Sequence, residues 1–254
     1  MTIKAMILAA GRGERMRPLT DTCPKPLLHV RGKALIDWHV EELASSGVTD
    51  FVVNTAWLGE QIEAHLCSRF LIPSSNQIGL QPDEKVGKQL SFSYSHEDAD
   101  FGGALETAGG IARALPLLGD VFWVLAGDVF VPGFEFSQTS VDRFNASGKL
   151  AHLWLVANPP HNRQGDFGIS DDGLALSLPR SSNATQFTFS TIALYKKDFF
   201  DTLPFGNPCG AKAALAPLLR AAMDNEQVSA ELLTGAWTDV GTPARLAELN
   251  ETST

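Results

Sequence analysis

A short apolar run near the N-terminus, which stops at a glycine, constrains the fold of this chain most strongly. Residues 4–10 are largely apolar, and Gly11 and a loop rich in glycine, proline and charge follow directly. Such a run is typical of a strand that is buried on both faces of a parallel sheet. The turn after a first parallel strand is a common phosphate site, because glycine lets main-chain N–H groups close around an anion. The sequence therefore predicts an α/β fold with an anion site at residues 11–13.

Strand and helix patterns alternate along the rest of the chain. The first half predicts strands at residues 51–53, 90–95 and 121–126, and helices at residues 34–47, 58–70 and 107–115. The second half predicts shorter strands at residues 152–157, 167–169, 174–178, 187–195 and 237–240, and helices at residues 211–223 and 243–249. We expect a mainly parallel central sheet flanked by helices, with a smaller mixed or antiparallel extension. Residues 71–89 are polar and predict a surface excursion, and no boundary divides residues 1–254, so we expect one domain.

Composition excludes several classes of protein. Hydrophobic residues make up 44% and charged residues 19% of the 254 residues, which is typical of an ordered globular chain. The formal net charge of −9 argues against binding to nucleic acid or to an anionic membrane, since both need a basic surface. Residues 12–25 are an exception, because four cationic side chains there outnumber two acidic ones. This basic island needs a specific explanation.

Cysteine and histidine spacing gives no support for a disulfide framework or a zinc site. The three cysteines are far apart, and the six histidines form no H-E-x-x-H pattern. The apolar run at residues 5–10 is short for a secretory signal, and no run approaches the length of a membrane span. We therefore expect a cytoplasmic protein with reduced thiols.

The basic island differs from the best-known nucleotide-binding loops. A dinucleotide fingerprint needs a glycine where Met16 stands, and no G-x-x-x-x-G-K-[ST] pattern occurs, so a NAD-linked enzyme is disfavoured. Instead, Arg15 follows Gly13, and Lys25 is held between Pro24 and Pro26. Prolines keep the backbone around one lysine extended, which would aim its ammonium group at a fixed point. From these residues alone, a phosphate site and a solvated basic loop both remain open.

At this point the residues resemble the sugar-1-phosphate nucleotidyltransferase family. Residues 8–27 match its signature, which reads L-A-A-G-x-G-x-R-M-x-P-L-T-x-x-x-P-K-P-L. The resemblance continues at Gly127 and Asp128 and at residues 237–242, which read W-x-D-V-G-T. It covers nearly the whole chain. It implies a nucleotide-binding half at about residues 1–130 and a sugar-binding half at about residues 131–254.

The resemblance implies a role for individual residues. Arg15, Lys25 and Asp128 would be catalytic, with Arg15 on the leaving pyrophosphate and Lys25 on the α-phosphate, while Asp128 and Asp239 would hold Mg²⁺. The implied nucleotide-binding residues are Leu8, Ala10, Gly11, Arg12, Gly13, Lys25, Glu106, Thr107 and Gly109. The implied sugar-binding residues are Gly110, Asp166 and Thr191. Elementary chemistry agrees, because Mg²⁺ prefers one or two carboxylates together with phosphate oxygens.

A narrower resemblance is to the N-acetylmuramate α-1-phosphate uridylyltransferases of cell-wall recycling. It rests on residues 54–59, 105–110, 158–167 and 215–220, on Glu106 before the threonine, and on the lack of an E-K-P segment. It implies UTP and N-acetylmuramate α-1-phosphate as substrates. Three features depart from this branch, namely Ala126 where asparagine is common, Thr191 where glycine is frequent, and a longer segment at residues 68–90.

Two alternatives stay open at this stage. The chain could use another sugar 1-phosphate, of mannose, glucose or a heptose, or it could be a nucleotide-sugar sensor without turnover. Arg15, Lys25, Asp128 and Asp239 are all present, which argues against a sensor. No left-handed β-helix repeat follows, so we expect no fused acyltransferase domain, and both a monomer and a homodimer fit the sequence.

Overall fold

The computed structural model describes residues 3–71, 89–179, 182 and 184–251. Its strands are β1 (Lys4–Leu8), β2 (His29–Val30), β3 (Lys33–Ala34), β4 (Asp50–Thr55), β5 (Ser91–His96), β6 (Val121–Ala126), β7 (Val129–Phe130), β8 (Ala151–Val156), β9 (Gly168–Ile169), β10 (Ala175–Leu176), β11 (Thr188–Lys196), β12 (Val228–Leu232) and β13 (Thr238–Asp239). Its α-helices are α1 (Leu35–Ser45), α2 (Gly59–Leu66), α3 (Glu97–Phe101), α4 (Glu106–Ala114), α5 (Gln138–Ala146), α6 (Leu215–Asp224) and α7 (Pro243–Glu251).

A seven-stranded sheet organises the described residues, with strand order β12-β8-β11-β6-β1-β4-β5. Strand β1 lies parallel to both β4 and β6, and β4 lies parallel to β5. Strand β11 is antiparallel to β6 and β8, while β12 is parallel to β8. The predicted mainly parallel sheet with a mixed extension is therefore confirmed. Small antiparallel pairs, β2–β3, β9–β10 and β7–β13, lie beside it.

Both faces of the sheet are covered by helices, which explains why its central strands are apolar throughout. On one face, α1, α2 and α5 pack their buried apolar residues against alternate residues of β1, β4 and β6. On the other face, α4 and α6 do the same. A third, smaller cluster joins the loop after β1 to α1 and α7 through Met16, Leu35 and Leu246. Burial on both faces stabilises the three-layer arrangement.

The loop after β1 is more regular than the sequence predicts. Residues 11–33 hold three short 3₁₀ turns, Glu14–Met16, Leu19–Asp21 and Lys25–Leu27, and the hairpin β2–β3. Gly13 has φ 69°, and a Cβ there would lie 2.9 Å from Thr20 Cγ2. The Thr20 hydroxyl donates to the Gly13 carbonyl at 2.8 Å. Glycine is needed at this position because both the left-handed backbone and the close approach exclude a side chain.

Several elements differ from the sequence predictions. Helices α3 and α5 and strand β12 were not predicted, because each buries only one or two residues and so has a weak apolar periodicity. The helix expected at residues 211–223 begins at Leu215, since the Ala213 carbonyl is taken up by Ala108 N and Gly109 N of α4. Most of the polar segment at residues 71–89 lies outside the described residues. No helix in the described part of the chain is long and apolar enough to cross a membrane.

Candidate active site

A cleft of about 690 Å³ opens at the carboxyl ends of β1, β4 and β6. Ligands of open α/β sheets bind at this edge of the sheet. The predicted site residues that line the cleft are Leu8, Ala10, Gly11, Lys25, Glu106, Thr107, Asp128, Asp166 and Thr191. A second cavity of about 220 Å³ shares Gly11, Lys25 and Asp128 with it and adds Gly13 and Arg15. Two adjoining spaces thus meet at one lysine and one aspartate.

Lys25 and Asp128 form an ion pair at the junction of these two cavities. Pro24 has an extended backbone, but Lys25 starts the 3₁₀ turn that follows it, so the prediction of an extended backbone at the lysine itself is wrong. The Lys25 side chain is only 9% exposed, whereas that of Asp128 is 36% exposed. Asp128 lies two residues beyond the end of β6, so the sheet edge fixes its position. The pair therefore offers an ammonium group that could bind a phosphate and, beside it, a carboxylate that could bind a cation.

The two predicted arginines of the glycine loop have different surroundings. Arg15 is exposed, lines the smaller cavity, and makes no hydrogen bond or ion pair with any described residue. Arg12, by contrast, lies 3.6 Å from the centre of the Trp57 ring and donates to the Thr20 carbonyl at 2.7 Å. It also pairs with Asp21. Arg15 is therefore available to a ligand, while Arg12 holds the loop, and direct binding by Arg12 stays a prediction.

A buried pair, Asn54 and Glu97, connects the glycine loop to the wall of the cleft. The Ala9 N–H donates to Asn54 Oδ1 at 2.9 Å, and Asn54 Nδ2 donates to Glu97 Oε1 at 2.6 Å. Glu97 Oε2 accepts from the Leu105 N–H at 2.7 Å, immediately before α4. Burial raises the pKa of Glu97, although these hydrogen bonds oppose the shift. The pair fixes the loop after β1 relative to the start of α4.

The start of α4 provides the wall opposite the glycine loop. Glu106 and Thr107 line the cleft, and Glu106 has φ 61°, a left-handed conformation at the helix start. Gly109 and Gly110 are buried and line neither of the two cavities. A Cβ at Gly109 would lie 2.6 Å from the Ala211 carbonyl, so this glycine permits close packing of the segment before α6. The structure gives these two glycines a packing position, and their contact with a ligand stays a prediction.

The two implied magnesium ligands, Asp128 and Asp239, lie on neighbouring segments of the chain, although Asp239 lines neither of the two cavities. Strands β7 and β13 pair Asp239 with Val129, and the Val240 N–H donates to the Asp128 carbonyl at 2.9 Å, so the two aspartates lie on adjacent backbone. No group of three or more metal-binding side chains occurs among the described residues. Two carboxylates completed by phosphate oxygens and water are what Mg²⁺ prefers, whereas Zn²⁺ would need more protein ligands.

Asp239 is held by two neighbours outside the predicted site. Arg245 donates to Asp239 Oδ2 at 2.6 Å and to its main-chain carbonyl at 2.8 Å. His161 Nε2 lies 3.2 Å from the same Oδ2 atom. The Arg245 side chain is 17% exposed, and the Arg245 N–H, in the first turn of α7, donates to Thr242 Oγ1 at 3.4 Å. These contacts orient the carboxylate and balance its charge.

The opposite end of the cleft is built from β11, α6 and the loop before β9. Asp166 accepts hydrogen bonds from Asn162 and, at 2.9 Å, from the Phe189 N–H. Thr191 has φ 69° and lies where the register of β11 shifts against β8. Its hydroxyl is buried and has no partner among the described residues. Ala126 lines the cleft at the end of β6, so the departure from asparagine removes a polar side chain from the site.

Four polar residues that line the cleft were not among the site residues predicted from the sequence. Asn54 and Glu97 lie at the carboxyl ends of adjacent parallel strands. The rule that ligands bind at this edge of the sheet could have indicated both residues. Arg220, in α6, also lines the cleft, and in the sequence it stands out only as the last residue of the segment 215–220. Tyr195 lies on the floor, where burial raises the pKa of its hydroxyl and keeps it protonated. These residues surround the predicted set.

The comparisons with known proteins identify a family and relatives of about the same length. A family described as nucleotidyl transferase matches residues 4–254. An N-acetylmuramate alpha-1-phosphate uridylyltransferase of Neisseria meningitidis is 45% identical over 252 residues, which cover 97% of this chain and 96% of that protein. A protein of the same description from Caulobacter vibrioides is 31% identical over 263 residues, covering 96% and 97%.

Solved structures share the fold at much lower identity. HddC from Yersinia pseudotuberculosis superposes with a TM-score of 0.69 at 18% identity, over 100% of both chains. The apo form of a UDP-glucose pyrophosphorylase superposes with a TM-score of 0.74 at 16% identity, over 99% of this chain and 98% of that one. At these identities the likeness concerns the fold alone.

Proposed function

The chain belongs to the nucleotidyl transferase family, and on that premise we propose that it transfers a uridylyl group from UTP to N-acetylmuramate α-1-phosphate. The products are UDP-N-acetylmuramate and pyrophosphate. The structural observation that carries the proposal is the Lys25–Asp128 pair, which faces both cavities. The choice of substrates rests on the two relatives, each of which is similar to this chain over nearly its whole length.

The proposed reaction is an in-line displacement at the α-phosphorus of UTP. An oxygen of the sugar phosphate forms the new bond to phosphorus, and the bond to the oxygen that bridges to the β-phosphate breaks. A phosphate monoester has a second pKa of about 6, so the attacking group is already anionic and needs no general base. The protein must align two anions and reduce their repulsion, which is catalysis by positioning and electrostatics.

The residues of the cleft suit these tasks. Lys25, held by its flanking prolines, would donate to the α-phosphate and balance charge as the new bond forms. Arg15, which has no partner among the described residues, would hold the departing pyrophosphate in the smaller cavity. The main chain of Gly11 and Gly13 lines the same cavity and would supply N–H donors. This division places the leaving group away from the sugar.

Magnesium belongs to the proposal as the cofactor. Asp128 and Asp239 would hold it, and when bound it would neutralise charge on the phosphate oxygens. Asp128 pairs with Lys25, and Asp239 pairs with Arg245. Each carboxylate therefore lies beside one cationic side chain, and the bound ion would share or replace that contact.

The cellular role follows from the substrates. UDP-N-acetylmuramate is a cell-wall precursor, so we propose that the chain acts in peptidoglycan recycling, in the cytoplasm, where UTP is available. Neither a nucleic acid nor a membrane is needed for this reaction. The net charge of −9 is no obstacle, because the local field of a cleft decides what binds there.

A pyrophosphate-release panel tests the proposal. Four nucleoside triphosphates are combined with the 1-phosphates of N-acetylmuramate, N-acetylglucosamine, glucose, mannose and a heptose, with and without Mg²⁺. We expect the fastest release with UTP, Mg²⁺ and N-acetylmuramate α-1-phosphate, slower release with the other sugar 1-phosphates, and none without Mg²⁺. Faster turnover with another sugar would overturn the substrate and keep the reaction class. Binding of UTP without release in any combination would indicate a sensor.

A further inference from the structure

We propose that Arg220 forms a carboxylate subsite at the sugar end of the cleft and selects N-acetylmuramate by its lactyl group. The inference rests on the proposed function, and it assigns a residue to the part of the substrate that distinguishes this sugar. N-acetylmuramate differs from N-acetylglucosamine by one lactyl ether, which carries a carboxylate. A site that separates the two sugars therefore needs a group that recognises that charge.

Among the cationic side chains that line the main cleft in the described part of the chain, Arg220 has no acidic partner. The lining contains two cationic side chains within the described residues, Lys25 and Arg220. Lys25 is paired with Asp128, whereas no described carboxylate lies within 4.0 Å of the Arg220 guanidinium. Arg220 does not line the smaller cavity that holds Arg15. Its charge therefore remains available at the end of the cleft remote from that cavity.

The guanidinium is held in place by contacts that leave donors free. Its Nη1 atom donates to Ser177 Oγ and its Nη2 atom to the Asp166 main-chain carbonyl, each at 3.2 Å. The Phe167 ring lies 5.1 Å from the guanidinium carbon. A guanidinium has five N–H donors in a planar fork, so donors remain for a carboxylate. Because these contacts already fix the guanidinium group, less conformational entropy is lost when a ligand binds.

The surroundings favour an organic acid over a second phosphate. Aromatic and aliphatic side chains, Phe167, Phe189 and Leu219, line the cleft around Arg220. Asp166 lines the same cleft, and its charge would repel a doubly charged phosphate more than a single carboxylate. One arginine with an apolar wall suits a lactyl group, whose methyl is apolar and whose carboxylate carries one charge.

The test combines variants of Arg220 with acceptors that differ in one group. Arg220→Gln, Arg220→Lys and the parent are assayed for pyrophosphate release with N-acetylmuramate α-1-phosphate, its lactyl methyl ester, and N-acetylglucosamine α-1-phosphate. Arg163→Gln is the matched control, since Arg163 is an exposed arginine of the same half of the chain. Calorimetric binding of UTP and thermal unfolding report whether each variant is folded.

We expect Arg220→Gln to lower kcat/KM for the free lactyl acid by about 10- to 100-fold, the effect of one hydrogen bond to a charged group. The value for N-acetylglucosamine α-1-phosphate and for the methyl ester should stay within about 2-fold. Arg220→Lys should retain part of the preference. An equal fall for all three acceptors, or no fall for any, would overturn the subsite.

Failure of the proposed function gives a different result. If the parent releases no pyrophosphate with any of these acceptors, binding of each acceptor to the parent and to Arg220→Gln is measured by calorimetry. Weaker binding of the lactyl acid alone in the variant supports the subsite without the reaction. Equal binding of all acceptors to both proteins, or no binding at all, overturns it.

Discussion

The side-chain amide of Asn54 donates a 2.6 Å hydrogen bond to the buried carboxylate of Glu97. Through this contact the main chain at Ala9, in the loop after β1, is connected to Leu105, which precedes α4. The loop would hold the triphosphate and α4 the rest of the nucleotide in the proposed function. The relative position of these two walls therefore depends on one asparagine and one glutamate.

Glu97→Gln should destabilise the protein and weaken UTP binding. Glutamine offers one acceptor and one donor group where Asn54 Nδ2 and the Leu105 N–H both need acceptors, so one buried donor loses its partner. We expect a loss of about 1–3 kcal/mol in the free energy of unfolding and a raised KM for UTP. Urea unfolding and steady-state kinetics measure both quantities. Glu60→Gln, at an exposed position of α2, is the control and should change neither.

Arg15→Ala should lower turnover by about 10²–10³-fold, by analogy with losing one preorganised donor for developing charge. Lys25→Met should cost a similar factor for the same reason. The matched control is Arg17→Ala, because Arg17 is also exposed on this loop but pairs with Glu14 and Asp21. Pyrophosphate release at saturating substrates gives kcat for each variant. If Arg17→Ala and Arg15→Ala lose activity equally, the loop acts only through its total charge.

The sequence predicted the parallel half of this fold well, and many of the predicted site residues line one cleft. The strand at residues 4–10 and the signature at residues 8–27 are local features, and the family they indicate is confirmed over residues 4–254. The contact of Ala213 with α4, which delays the start of α6, depends on a distant segment and has no local signal. The same holds for Arg220, because only folding brings α6 to the cleft.

Gly13→Ala should perturb the glycine loop more than a substitution at another left-handed glycine. Both Gly13 and Gly32 have positive φ, so alanine at either costs about 1–2 kcal/mol in backbone strain. Only at Gly13 would the new Cβ also meet Thr20, at 2.9 Å, whereas nothing lies within 4 Å at Gly32. We expect Gly13→Ala to lose more stability and to raise KM for UTP. Equal effects of the two substitutions on unfolding and kinetics would contradict the packing argument.

Asp239→Asn should shift the magnesium dependence of the reaction. The change keeps the shape of the side chain and removes its charge, so the cation concentration for half-maximal pyrophosphate release should rise and kcat should fall. Asp201→Asn, at an exposed turn, is the control. Thermal unfolding shows whether losing the Arg245 ion pair also destabilises the fold. An unchanged magnesium titration for Asp239→Asn would remove this residue from the metal site.

His39 makes the stability of the protein depend on pH in a direction that can be tested. The imidazole of α1 is 1% exposed, and its Nε2 atom has no hydrogen-bond partner among the described residues. Burial lowers the pKa of His39 to about 4, although the Asp128 carboxylate opposes the shift. In the unfolded chain the pKa is about 6.5, so between these values the unfolded state binds the additional proton.

It follows that the stabilising contribution of neutral His39 is complete above pH 6.5 and is lost as the pH falls toward 4. The loss is about 3 kcal/mol over this window. His39→Leu should remove this part of the pH dependence of the free energy of unfolding, whatever its effect on stability at neutral pH. The other titrating groups contribute equally to the variant and the parent, so they cancel when the two profiles are subtracted. Urea unfolding at intervals from pH 7.5 to 4 measures the profile. The exposed His29→Gln is the control and should keep the parent profile, and a His39→Leu profile parallel to that of the parent would contradict the assignment.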